Sequence, residues 1–489
     1  MRFIVFILFF GFSFVFAQTD TTVRYHAFGG LNNDVAEEIQ PTTDGGYVVI
    51  GSTSSNSWGN TDAYLLKVDS NCNYQWSQAL GGANNDWGYS IKQTFDKGYI
   101  IALSTNSFGN GGYDACLMKR DSLGNYEWKK VYGGNDWDYA YSVVQTYDSG
   151  YVFCGETYNN TNGFSDVYVV KTNVVGDTLW TRTIGGTQID KGVSVIETSD
   201  SNIVVGGITN TSSDSTQMYV LKLSASGTLL WDSIYGGNKY DDLNQIIEHS
   251  NGNYIMVGAS TNGSVGGDKD YIVRAINQNG SPLWVFELVN GPSPPPADEE
   301  AFAIHELTNT NVLISGYSKT GGGGKKNITF FQLTPSGFWG NVSAVYGNVD
   351  DDYIVSLTVD NNEHIVAAGN TNSFGNGMQD FLLMELDTIY ANQDTTMTVV
   401  SDTIPLNIEG SNKLLNEVSV YPNPVTDYIQ IKTKENKVNV QLFDISGKLL
   451  FSNSLMNNGL IKMKQYPQGI YLLNVNGDNI SFKTKIIKR

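Results

Sequence analysis

The sequence has few charged residues and few of the residue types that form metal or redox centres. Charged residues make up 16% of the 489 residues, with only 3 Cys and 4 His. Three cysteines cannot build a disulfide framework, and the histidines lack the short spacing of a zinc or iron site. Acids exceed Lys and Arg by 49 to 30, which gives a formal net charge of −19. This charge excludes proteins that bind nucleic acid or anionic membranes through a basic surface.

Long hydrophobic runs are scarce as well, and the one at the N-terminus indicates secretion. An apolar run over residues 3–16 follows the cation Arg2 and precedes Ala17. This pattern predicts a signal peptide over residues 1–17, with Gln18 as the first mature residue. The run is shorter than the roughly 20 residues of a membrane-spanning helix, and no other segment is long and apolar enough. We therefore expect no transmembrane segment after the signal peptide is removed.

Glycine and aromatic residues are abundant, and they recur at a nearly fixed period. The chain has 52 Gly, and aromatic residues make up 12% of it. Six tryptophans recur at spacings of 52, 52, 51, 53 and 55 residues: Trp76, Trp128, Trp180, Trp231, Trp284 and Trp339. Gly-Gly pairs recur with them, at 29–30, 81–82, 133–134, 185–186 and 236–237. Such self-similarity is the signature of a repeat architecture.

One copy of the repeat, residues 81–132, predicts four short strands separated by turns. Its second strand, residues 99–104, is almost continuously apolar, as in a strand covered on both faces. No segment shows sustained helical periodicity. A four-stranded sheet cannot bury both faces alone, whereas copies stacked around an axis can, as in a β-propeller. The predicted fold class is therefore all-β, with a propeller over residues 18–390, and the repeated tryptophans are predicted to pack within or between its sheets.

The two ends of the repeat region predict a closed ring of seven blades. Seven copies occupy residues 25–390, and the seventh ends without a fourth strand. Residues 23–30 match the fourth strand that precedes the other Gly-Gly pairs. We predict that this N-terminal strand completes the seventh blade and so removes the exposed sheet edges. An open solenoid of the same units is the alternative.

Two acidic positions recur at the end of the repeat that carries its longer loops. The first lies four residues after the Gly-Gly pair and comprises Asp34, Asp86, Asp138, Asp190, Asp241, Glu299 and Asp352. The second precedes the third strand and comprises Asp62, Asp114, Asp166, Asp270 and Asp380, with Gln217 and Asn327 in the other two copies. One interpretation is that the first set binds Ca²⁺, which prefers oxygen ligands. The other is that each acid accepts backbone N–H bonds and fixes its loop. No other cofactor is expected.

The same loops carry aromatic side chains that a repeated core does not require. They are Trp58, Trp87, Trp137, Phe108, Phe164, Tyr240 and Phe374. Flat rings flanked by Asn, Asp and Ser suit stacking on sugar rings or contact with a protein. The alternative is that they fill gaps between neighbouring blades. These seven residues form the candidate ligand-binding set.

Sequence signals of catalysis are scarce. The chain has no Gly-x-Ser-x-Gly and no His-Glu-x-x-His sequence. The run at 321–326 lacks the spacing of a phosphate-binding loop, and no helix is predicted after it. No catalytic residue is predicted. The sixth copy has long Pro-rich and Gly-rich loops, over residues 292–296 and 321–326, and these insertions make it a second candidate region.

The C-terminal end has a different composition. Residues 413–489 hold 11 Lys or Arg against 5 Asp or Glu, whereas the rest of the chain is strongly acidic. Residues 391–415 lack the upstream pattern and are predicted to be a linker. Residues 416–489 contain short alternating runs broken by Asn-Pro, Ser-Gly and Gly-Asp, which predict a small antiparallel β-sandwich.

Four motifs occur in order within this C-terminal segment. They are Tyr421-Pro422-Asn423-Pro424, a turn at Gly447, the pair Gly469 and Tyr471, and the terminal Lys488-Arg489. Together they closely resemble the type A sorting domain of the Bacteroidetes type IX secretion system. The resemblance implies export through the inner membrane by the signal peptide and recognition of the C-terminal domain by the outer-membrane translocon. It also implies that the cargo is released or fixed to surface lipopolysaccharide.

These patterns predict a secreted or cell-surface binding protein without enzymatic activity, which uses one propeller face for adhesion. Its expected partners are the type IX translocon and sorting machinery, with a glycan or a surface protein as the ligand. One alternative is a secreted hydrolase or lyase that acts on polysaccharide on the same scaffold. Another is a structural surface component with no discrete ligand.

Overall fold

A computed structural model of the chain describes most of the repeat region and most of the C-terminal segment. The described residues are 2–5, 23–386, 398–403, 418–421 and 425–488, apart from gaps at 56, 160, 162, 213–214, 263–266, 289–296, 320–324, 348–349, 361–362, 376–377, 434–436, 445–447, 457–458 and 477–480. Most of the predicted signal peptide and of the predicted linker lies outside the described residues, as do residues 292–296 and 321–324 of the sixth copy. The chain divides into two compact units, Met1–Ile404 and Pro405–Arg489.

Within the described residues, the first unit contains seven sheets, each built on four antiparallel strands. Two of them carry a fifth strand that pairs in parallel. The chain begins with β1 (Arg2–Val5) and β2 (Val23–Gly29), and the first four sheets then comprise β3 (Asp34–Pro41), β4 (Tyr47–Thr53), β5 (Asp62–Val68) and β6 (Tyr74–Leu80); β7 (Asp86–Gln93), β8 (Tyr99–Thr105), β9 (Asp114–Arg120) and β10 (Tyr126–Tyr132); β11 (Asp138–Gln145), β12 (Tyr151–Thr157), β13 (Asp166–Thr172) and β14 (Thr178–Ile184); and β15 (Asp190–Glu197), β16 (Ile203–Ser212), β17 (Ser215–Leu223) and β18 (Leu229–Tyr235).

The next three sheets follow the same order. They comprise β19 (Asp241–Glu248), β20 (Tyr254–Ser260), β21 (Asp270–Ile276) and β22 (Pro282–Leu288); β23 (Glu299–Glu306), β24 (Val312–Ser318), β25 (Asn327–Leu333) and β26 (Trp339–Tyr346); and β27 (Asp352–Val359), β28 (Ile365–Thr371) and β29 (Asp380–Leu386), joined by β2. We call the strands of each sheet A, B, C and D in this order. B strands such as β4, β8 and β12 are buried at every position, whereas the D strand β14 is largely exposed.

Apolar clusters between consecutive sheets hold the repeats together. One cluster joins Ile50 and Leu65 of the first sheet to Ile101 and Met118 of the second. Equivalent clusters lie between each following pair, as far as the sixth and seventh sheets. Burying one such side chain stabilises the fold by about 1.5–3 kcal/mol, so the stacking of whole sheets is the main source of stability. Repeated four-stranded sheets stacked in this way are consistent with a β-propeller.

The N-terminal strand occupies the D position of the seventh sheet. β2 pairs antiparallel with β29, from Val23 opposite Leu386 to Phe28 opposite Phe381. The A strands of consecutive sheets contact one another, and the A strand of the seventh sheet contacts β3. The seventh sheet also accepts a hydrogen bond from the first, from the Ala36 N–H to Asn370 Oδ1 at 2.8 Å. The last sheet therefore packs on the first.

Two further strands pair in parallel with the edges of this unit. β1 pairs with β22, and β30 (Thr398–Thr403) pairs with β2. β30 falls within residues 391–415, so the predicted linker contributes one strand to the seventh sheet. The unpaired N–H and C=O groups at the edge of β2 explain this pairing, because it gives them hydrogen-bond partners.

The C-terminal unit contains two antiparallel sheets. One has the order β31-β32-β35 and the other β34-β33-β36-β37, with bounds β31 (Val418–Tyr421), β32 (Tyr428–Thr433), β33 (Lys437–Asp444), β34 (Leu449–Met456), β35 (Gly459–Lys462), β36 (Gly469–Asn476) and β37 (Ser481–Lys488). Buried Ile431 and Ile461 of the first sheet share one core with Val440 and Leu473 of the second. Two sheets around a common core are the arrangement expected of the predicted sandwich.

The three cysteines of the first unit are not accessible to solvent. Cys72, Cys116 and Cys154 are free and buried. Burial raises the pKa of the Cys116 thiol to about 12, so this thiol is unreactive at neutral pH. Within the described ranges, no helix is long and apolar enough to cross a lipid bilayer.

The packing of β2 generates the first prediction. Tyr25 is fully buried and packs with residues of the sixth and seventh sheets, including Leu313 and Met384. Tyr25→Ala is expected to lower the free energy of unfolding by about 3–5 kcal/mol, because a large buried ring is lost. The control is Tyr147→Ala, since Tyr147 is exposed and its loss should change stability by less than about 0.5 kcal/mol. Equal urea midpoints for the two variants would contradict the observed place of β2.

Candidate functional site

The first acid of each repeat opens an A strand and ties two loops together. In the second sheet, Asp86 Oδ2 accepts the Gly82 N–H at 2.8 Å and the Ser107 hydroxyl at 2.6 Å, while the Thr105 hydroxyl donates to Oδ1. The bond from the second glycine recurs at 2.7–2.9 Å for Asp34, Asp138, Asp190 and Asp241. Each of these acids therefore fixes the D–A loop before its own strand. We call the D–A and B–C loops together the loop face.

The sixth and seventh copies, which have Asn290-Gly291 and Gly347-Asn348 in place of the Gly-Gly pair, keep part of this arrangement. Glu299 accepts the Ser318 hydroxyl at 2.7 Å. Asp352 accepts the hydroxyls of Thr371 at 2.6 Å and Ser373 at 2.7 Å. The acid at this position thus holds the B–C loop even where the Gly-Gly pair has diverged.

The second acid lies beside the first acid of the next sheet. Asp62 opens β5, and its Oδ2 accepts the Trp58 N–H of the B–C loop. Gly81 separates Asp62 from Asp86, and a Cβ at this glycine would overlap both carboxyl groups. The same packing occurs at Gly29 with Asp380 and Asp34, at Gly185 with Asp166 and Asp190, and at Gly236 with Gln217 and Asp241. The first glycine of the Gly-Gly pair is therefore required because two side chains from adjacent sheets close around it.

Two buried carboxyl groups this close cannot both ionise without a large cost. The pKa of Asp62 is raised to about 6, chiefly by burial and further by the charge and hydrogen bond of Asp86, although the Trp58 N–H acts in the opposite direction. One carboxyl of this junction therefore holds a proton well above the pH at which an exposed Asp loses it. A carboxylic acid can donate a hydrogen bond to the carboxylate beside it.

Two copies replace the second acid by an amide. Gln217 stands beside Asp241, and Asn327 occupies the equivalent place before β25. An amide is uncharged and can donate a hydrogen bond, so it resembles a protonated acid in both respects. These substitutions fit a junction that needs one neutral member.

The carboxyl groups proposed as calcium ligands are thus engaged by loop donors. Within the described part of the chain, no three His, Cys, Asp or Glu side chains come together in a way that could hold a metal ion. The hydrogen bonds around Asp34 and Asp86 are those that the loop-fixing interpretation predicts. The calcium interpretation stays a prediction.

The candidate ligand-binding aromatics divide into two groups. Four lie exposed on the loop face, with exposed fractions of 48% for Trp58, 51% for Trp137, 63% for Phe164 and 46% for Tyr240. Trp87, Phe108 and Phe374 are half-buried. Phe374 stacks on Tyr25 with ring centroids 5.1 Å apart, and the Lys129 ammonium lies over Phe108. No two of the seven rings stack on each other within the described residues, so they do not form one continuous platform.

The repeated tryptophans of the D strands have a structural place. The indole N–H of Trp180 donates to Ala225 O at 3.0 Å, and that of Trp231 donates to Gln278 O at 3.0 Å. Both acceptors lie in the C–D turn of the following sheet. These side chains therefore join adjacent sheets, as the sequence predicted.

Every A strand carries a β-bulge at its fourth residue. The bulge residues are Glu37, Tyr89, Tyr141, Val193, Asn244, Phe302 and Val355, and all are half-buried. A bulge turns a side chain away from the regular alternation of the strand. Glu37 is the one carboxyl group among these seven positions.

Aromatic rings connect the loop face to these bulges in the second and third sheets. Ring centroids are 5.0 Å apart between Tyr89 and Tyr141, 5.7 Å between Tyr141 and Tyr139, and 5.6 Å between Tyr139 and Tyr113. Exposed Trp137 contacts Tyr113 edge-on at 6.4 Å. We use the name A-strand cluster for four residues of the A strands together with one residue of a neighbouring B–C loop. The A-strand residues are Glu37, Tyr89, Tyr139 and Tyr141, and the loop residue is Tyr113.

Glu37 has an unusual protonation behaviour within this cluster. Burial raises the pKa of its carboxyl to about 8. Its charge contributes to the raised pKa values of Tyr89 and Tyr353, each of which is raised first by burial. These tyrosines lie on β7 and β27, the two A strands that contact β3. At neutral pH Glu37 is therefore mostly protonated and can donate a hydrogen bond.

Sequence reasoning missed the A-strand cluster. Its signal was present, because the second and third A strands begin Asp-Trp-Gly-Tyr at 86–89 and Asp-Tyr-Ala-Tyr at 138–141. Aromatic residues at alternate positions share one face of a strand. Only the positions of the neighbouring A strands show that this face is separate from the apolar clusters between sheets.

The sorting-motif residues are partly described. Tyr471 is buried and its hydroxyl donates to Pro467 O at 2.7 Å. Gly469 lies opposite Lys488 in the β36–β37 pair, and Tyr421 ends β31. Pro422, Asn423, Pro424, Gly447 and Arg489 lie outside the described residues.

Comparison with protein families confirms the sorting domain. Residues 419–489 match the family model described as a secretion system C-terminal sorting domain. The protein is therefore exported to the cell surface or the extracellular space, and its C-terminal segment interacts with the type IX secretion machinery.

The chain also resembles one curated protein at low identity. The regulatory protein FlaEY of Caulobacter vibrioides is 26% identical over 204 residues, which are 37% of this chain and 20% of that protein. The chain therefore spans about a fifth of the length of this curated relative.

Similar solved structures include propellers from several sources. PorZ of Porphyromonas gingivalis, a surface component of the type IX secretion system, aligns with a TM-score of 0.37 and 12% identity over 94% of this chain and 74% of PorZ. The periplasmic gluconolactonase PpgL of Pseudomonas aeruginosa gives 0.46 and 10% over 85% and 98%. The Pan2 WD40 domain of Neurospora crassa gives 0.45 and 13% over 76% and 92%. These low scores carry no functional argument.

The buried carboxyl pair of Asp62 and Asp86 leads to the second prediction. The folded protein keeps a proton on Asp62 up to about pH 6, whereas the ordinary pKa is 3.8. The folded state therefore binds more protons than the unfolded chain in this window, and the free energy of unfolding falls as the pH rises through it. Asp62→Asn keeps a neutral donor beside Asp86. At neutral pH we expect this variant to be more stable than the wild type by up to about 3 kcal/mol, at about 1.4 kcal/mol per unit of pKa shift.

Asp121→Asn is the matched control, because Asp121 is a half-buried acid of a C–D turn. Slight burial, which would raise its pKa, is outweighed by hydrogen bonds from Asn125 and Leu123, so its pKa is lowered. Its contribution to stability is present above pH 3.8 and is lost as the pH falls. Denaturant unfolding across this pH range should thus give the two variants opposite signs at neutral pH. Loss of stability in both would contradict the proton-sharing junction.

Proposed function

We propose that the first unit is a closed seven-bladed propeller and that the exported protein is a non-enzymatic binding protein of the cell surface or its surroundings. The loop face would engage a glycan or a surface protein. Closure is supported by Asp380 of the seventh sheet and Asp34 of the first, which flank Gly29 in the same way as the acids of other junctions. The contact of β27 with β3 supports it as well.

One observation carries the binding function. Trp58, Trp137, Phe164 and Tyr240 expose large rings to solvent on the loop face, although burying them would stabilise the fold. The hydrogen bonds of Asp62 to the Trp58 N–H and of Asp138 to the Gly134 N–H hold the loops that carry two of these rings. Rigid, exposed rings lose little conformational entropy when they bind, which favours recognition of sugar rings or protein surfaces.

The distribution of these rings supports multivalent contact. They lie on four different loops of three repeats, and no stacking joins them within the described residues. Several weak contacts presented by one rigid scaffold raise the overall affinity by effective concentration. A polymeric glycan or a repetitive surface fits this spacing better than a single small molecule does.

One observation favours the enzymatic alternative. Glu37 is a half-buried carboxyl with a pKa of about 8, and acids with raised pKa values are suited to general acid catalysis. A hydrolase or lyase would shorten the polysaccharide that it binds. Chromatography of the glycan after incubation with the protein distinguishes this alternative from binding alone.

We also propose that the repeated acids serve the loops and require no bound calcium. Their oxygens already accept hydrogen bonds from Gly, Ser, Thr and Asn donors, as at Asp138, which accepts the Gly134 N–H at 2.9 Å and the Asn159 amide at 2.6 Å. A cation at this place would have to displace those donors.

The exposed rings generate the third prediction. On a glycan array, the mature chain from residue 18 onward should bind one class of glycan. Trp58→Ala and Trp137→Ala should each weaken that binding about tenfold or more, because an aromatic anchor contributes about 2 kcal/mol. Tyr147→Ala is the control, since Tyr147 is exposed in an A–B turn at the opposite strand ends. Equal affinities for all three variants would contradict the loop face as the binding surface.

The fourth prediction concerns calcium. Adding millimolar calcium or a chelator should leave the thermal midpoint of the first unit unchanged, because the acids are already engaged. A ligand that binds only the folded state would raise the midpoint with concentration. A calcium-dependent rise that disappears in Asp86→Asn would show that the acids bind the cation.

A further inference from the structure

Six aromatic rings form one connected network at the loop face, where the second and third sheets meet. They are Tyr89, Tyr113, Trp137, Tyr139, Tyr141 and Tyr158, and we call them the aromatic platform. The ring centroid of Trp137 lies 6.4 Å from that of Tyr113 and 6.0 Å from that of Tyr158. From Tyr113 the contacts continue through the other three tyrosines, with centroids 5.0–5.7 Å apart at each step. The platform therefore joins exposed Trp137 to the bulges of two A strands.

Backbone hydrogen bonds fix the three loops that carry the outer rings. The Asp138 N–H donates to Tyr113 O at 2.7 Å. The Tyr158 N–H donates to Trp137 O at 2.9 Å. Gly112 lies against the Trp137 indole, where an added Cβ would overlap the ring. These rings are held in position by the protein itself, which lowers the entropy cost of binding a ligand.

A buried carboxylate holds the ring of Tyr141. Oε1 of Glu156 accepts the Tyr141 hydroxyl at 2.6 Å, and Oε2 accepts the Ser165 hydroxyl at 2.9 Å. Because both oxygens of this buried acid already have donors, Glu156 positions Tyr141 and is not itself offered to a ligand. The platform is therefore built at both ends, by loop backbone near Trp137 and by Glu156 near Tyr141.

The platform is separate from the repeated core. Within the described residues, none of its six rings belongs to the apolar clusters that join consecutive sheets. In the fourth sheet, the residues equivalent to Trp137, Tyr139 and Tyr141 are Ile189, Lys191 and Val193. The repeat thus folds without aromatic residues at these positions. An unrepeated set of rings on a repeated scaffold indicates binding rather than folding.

Charges of both signs border the platform. The ammonium group of Lys191 lies 5.3 Å from the ring centroid of Tyr141, whereas Asp136 is exposed directly beside Trp137. The chain before residue 413 is strongly acidic as a whole, and such a surface repels a polyanion. The surroundings of the platform therefore favour an uncharged ligand.

We propose that the aromatic platform binds a neutral polysaccharide of the glucan type, whose sugar units carry equatorial hydroxyls. Such a unit presents only C–H groups on its two faces, and these faces stack on aromatic rings. Neighbouring rings of the platform take neighbouring units of the polysaccharide. The inference rests on the proposed glycan-binding function and adds the place of binding and the class of glycan.

The chemistry of the rings argues against other glycans. An axial hydroxyl would hold a sugar face away from the ring beneath it. A carboxylate on the sugar would be repelled by Asp136 and by the acidic first unit. The tyrosines and Trp137 combine flat apolar faces with polar edges, which suits a ligand that is apolar on its faces and polar around its rim.

The test uses calorimetry with the mature chain and three short probes. They are a cello-oligosaccharide, the same oligosaccharide with its primary alcohols oxidised to carboxylates, and a manno-oligosaccharide, which has an axial hydroxyl on each unit. The cello-oligosaccharide should bind at least about tenfold more tightly than either of the others. Equal affinities for the three probes would overturn the inference.

Variants of the platform give a second readout with the cello-oligosaccharide. Trp137→Ala and Tyr139→Leu should each weaken binding about tenfold or more, because each removes a ring. Tyr139→Phe should bind like the wild type, since the ring face makes the contact. Tyr353→Leu is the matched control, because Tyr353 is half-buried at the equivalent position of the seventh sheet and contacts Phe302 and Tyr317 outside the platform.

The outcomes separate this inference from the proposed function. Unchanged affinity in a Tyr139→Leu variant that circular dichroism shows to be folded would overturn the platform. Glycan binding that is lost in Trp58→Ala and kept in Trp137→Ala would overturn it too, while the loop face would stand as the binding surface. Absence of binding to the cello-oligosaccharide would overturn the proposed ligand, and the glycan array still tests the proposed function independently.

Discussion

The rest of the first unit depends on a carboxyl pair that closes around a glycine between adjacent sheets. Asp86 opens the A strand of one sheet, and Asp62 opens the C strand of the sheet before it. Gly81 leaves just enough space for both. Because both acids are buried, Asp62 keeps its proton up to about pH 6, and below that pH the pair acts as a hydrogen-bonded link. The apolar clusters supply most of the stability, and this link fixes how each sheet joins the next.

The same link positions the functional surface. Asp86 and its equivalents hold the D–A loops, and Asp62 holds the B–C loop that carries Trp58. A repeated device therefore builds a rigid face, and residues that differ between repeats can vary on it without loss of the fold. The A-strand cluster lies among these varying positions. A regular scaffold with irregular side chains explains why repeated residues serve folding and unrepeated residues are the candidates for binding.

Much of the fold could be predicted from the sequence, because several copies of the repeat carry the same pattern of strands and turns. The Gly-Gly pairs, the acids and the apolar B strands placed most strands correctly, and residues 419–489 match the predicted sorting domain. Side-chain exposure was harder to predict. Phe108 and Phe374 occur in the same local sequence as Trp58, yet Phe374 packs on Tyr25 of the N-terminal strand, a contact between residues far apart in the chain.

The candidate site was harder still, for a physical reason. Glu37 follows the third residue of its strand, where a bulge redirects the side chain, and hydrophobic alternation does not reveal a bulge. The ring contacts between Tyr89 and Tyr141 join different sheets, so no local pattern contains them. Strand β30 was not predicted. It supplies hydrogen-bond partners to the edge of β2 and is not part of the repeat, so the repeat pattern of the sequence does not indicate it.

Infrared spectroscopy in heavy water tests the shared proton of the junctions most directly. At about pH 5 an exposed Asp is ionised, so a protonated carboxyl signal in the native protein comes from buried groups. Glu37 contributes to that signal as well, and the part that is lost in Asp62→Asn belongs to the junction. The account predicts such a signal, its loss on unfolding, and its reduction in Asp62→Asn. A native spectrum with only ionised carboxylates at that pH would contradict it.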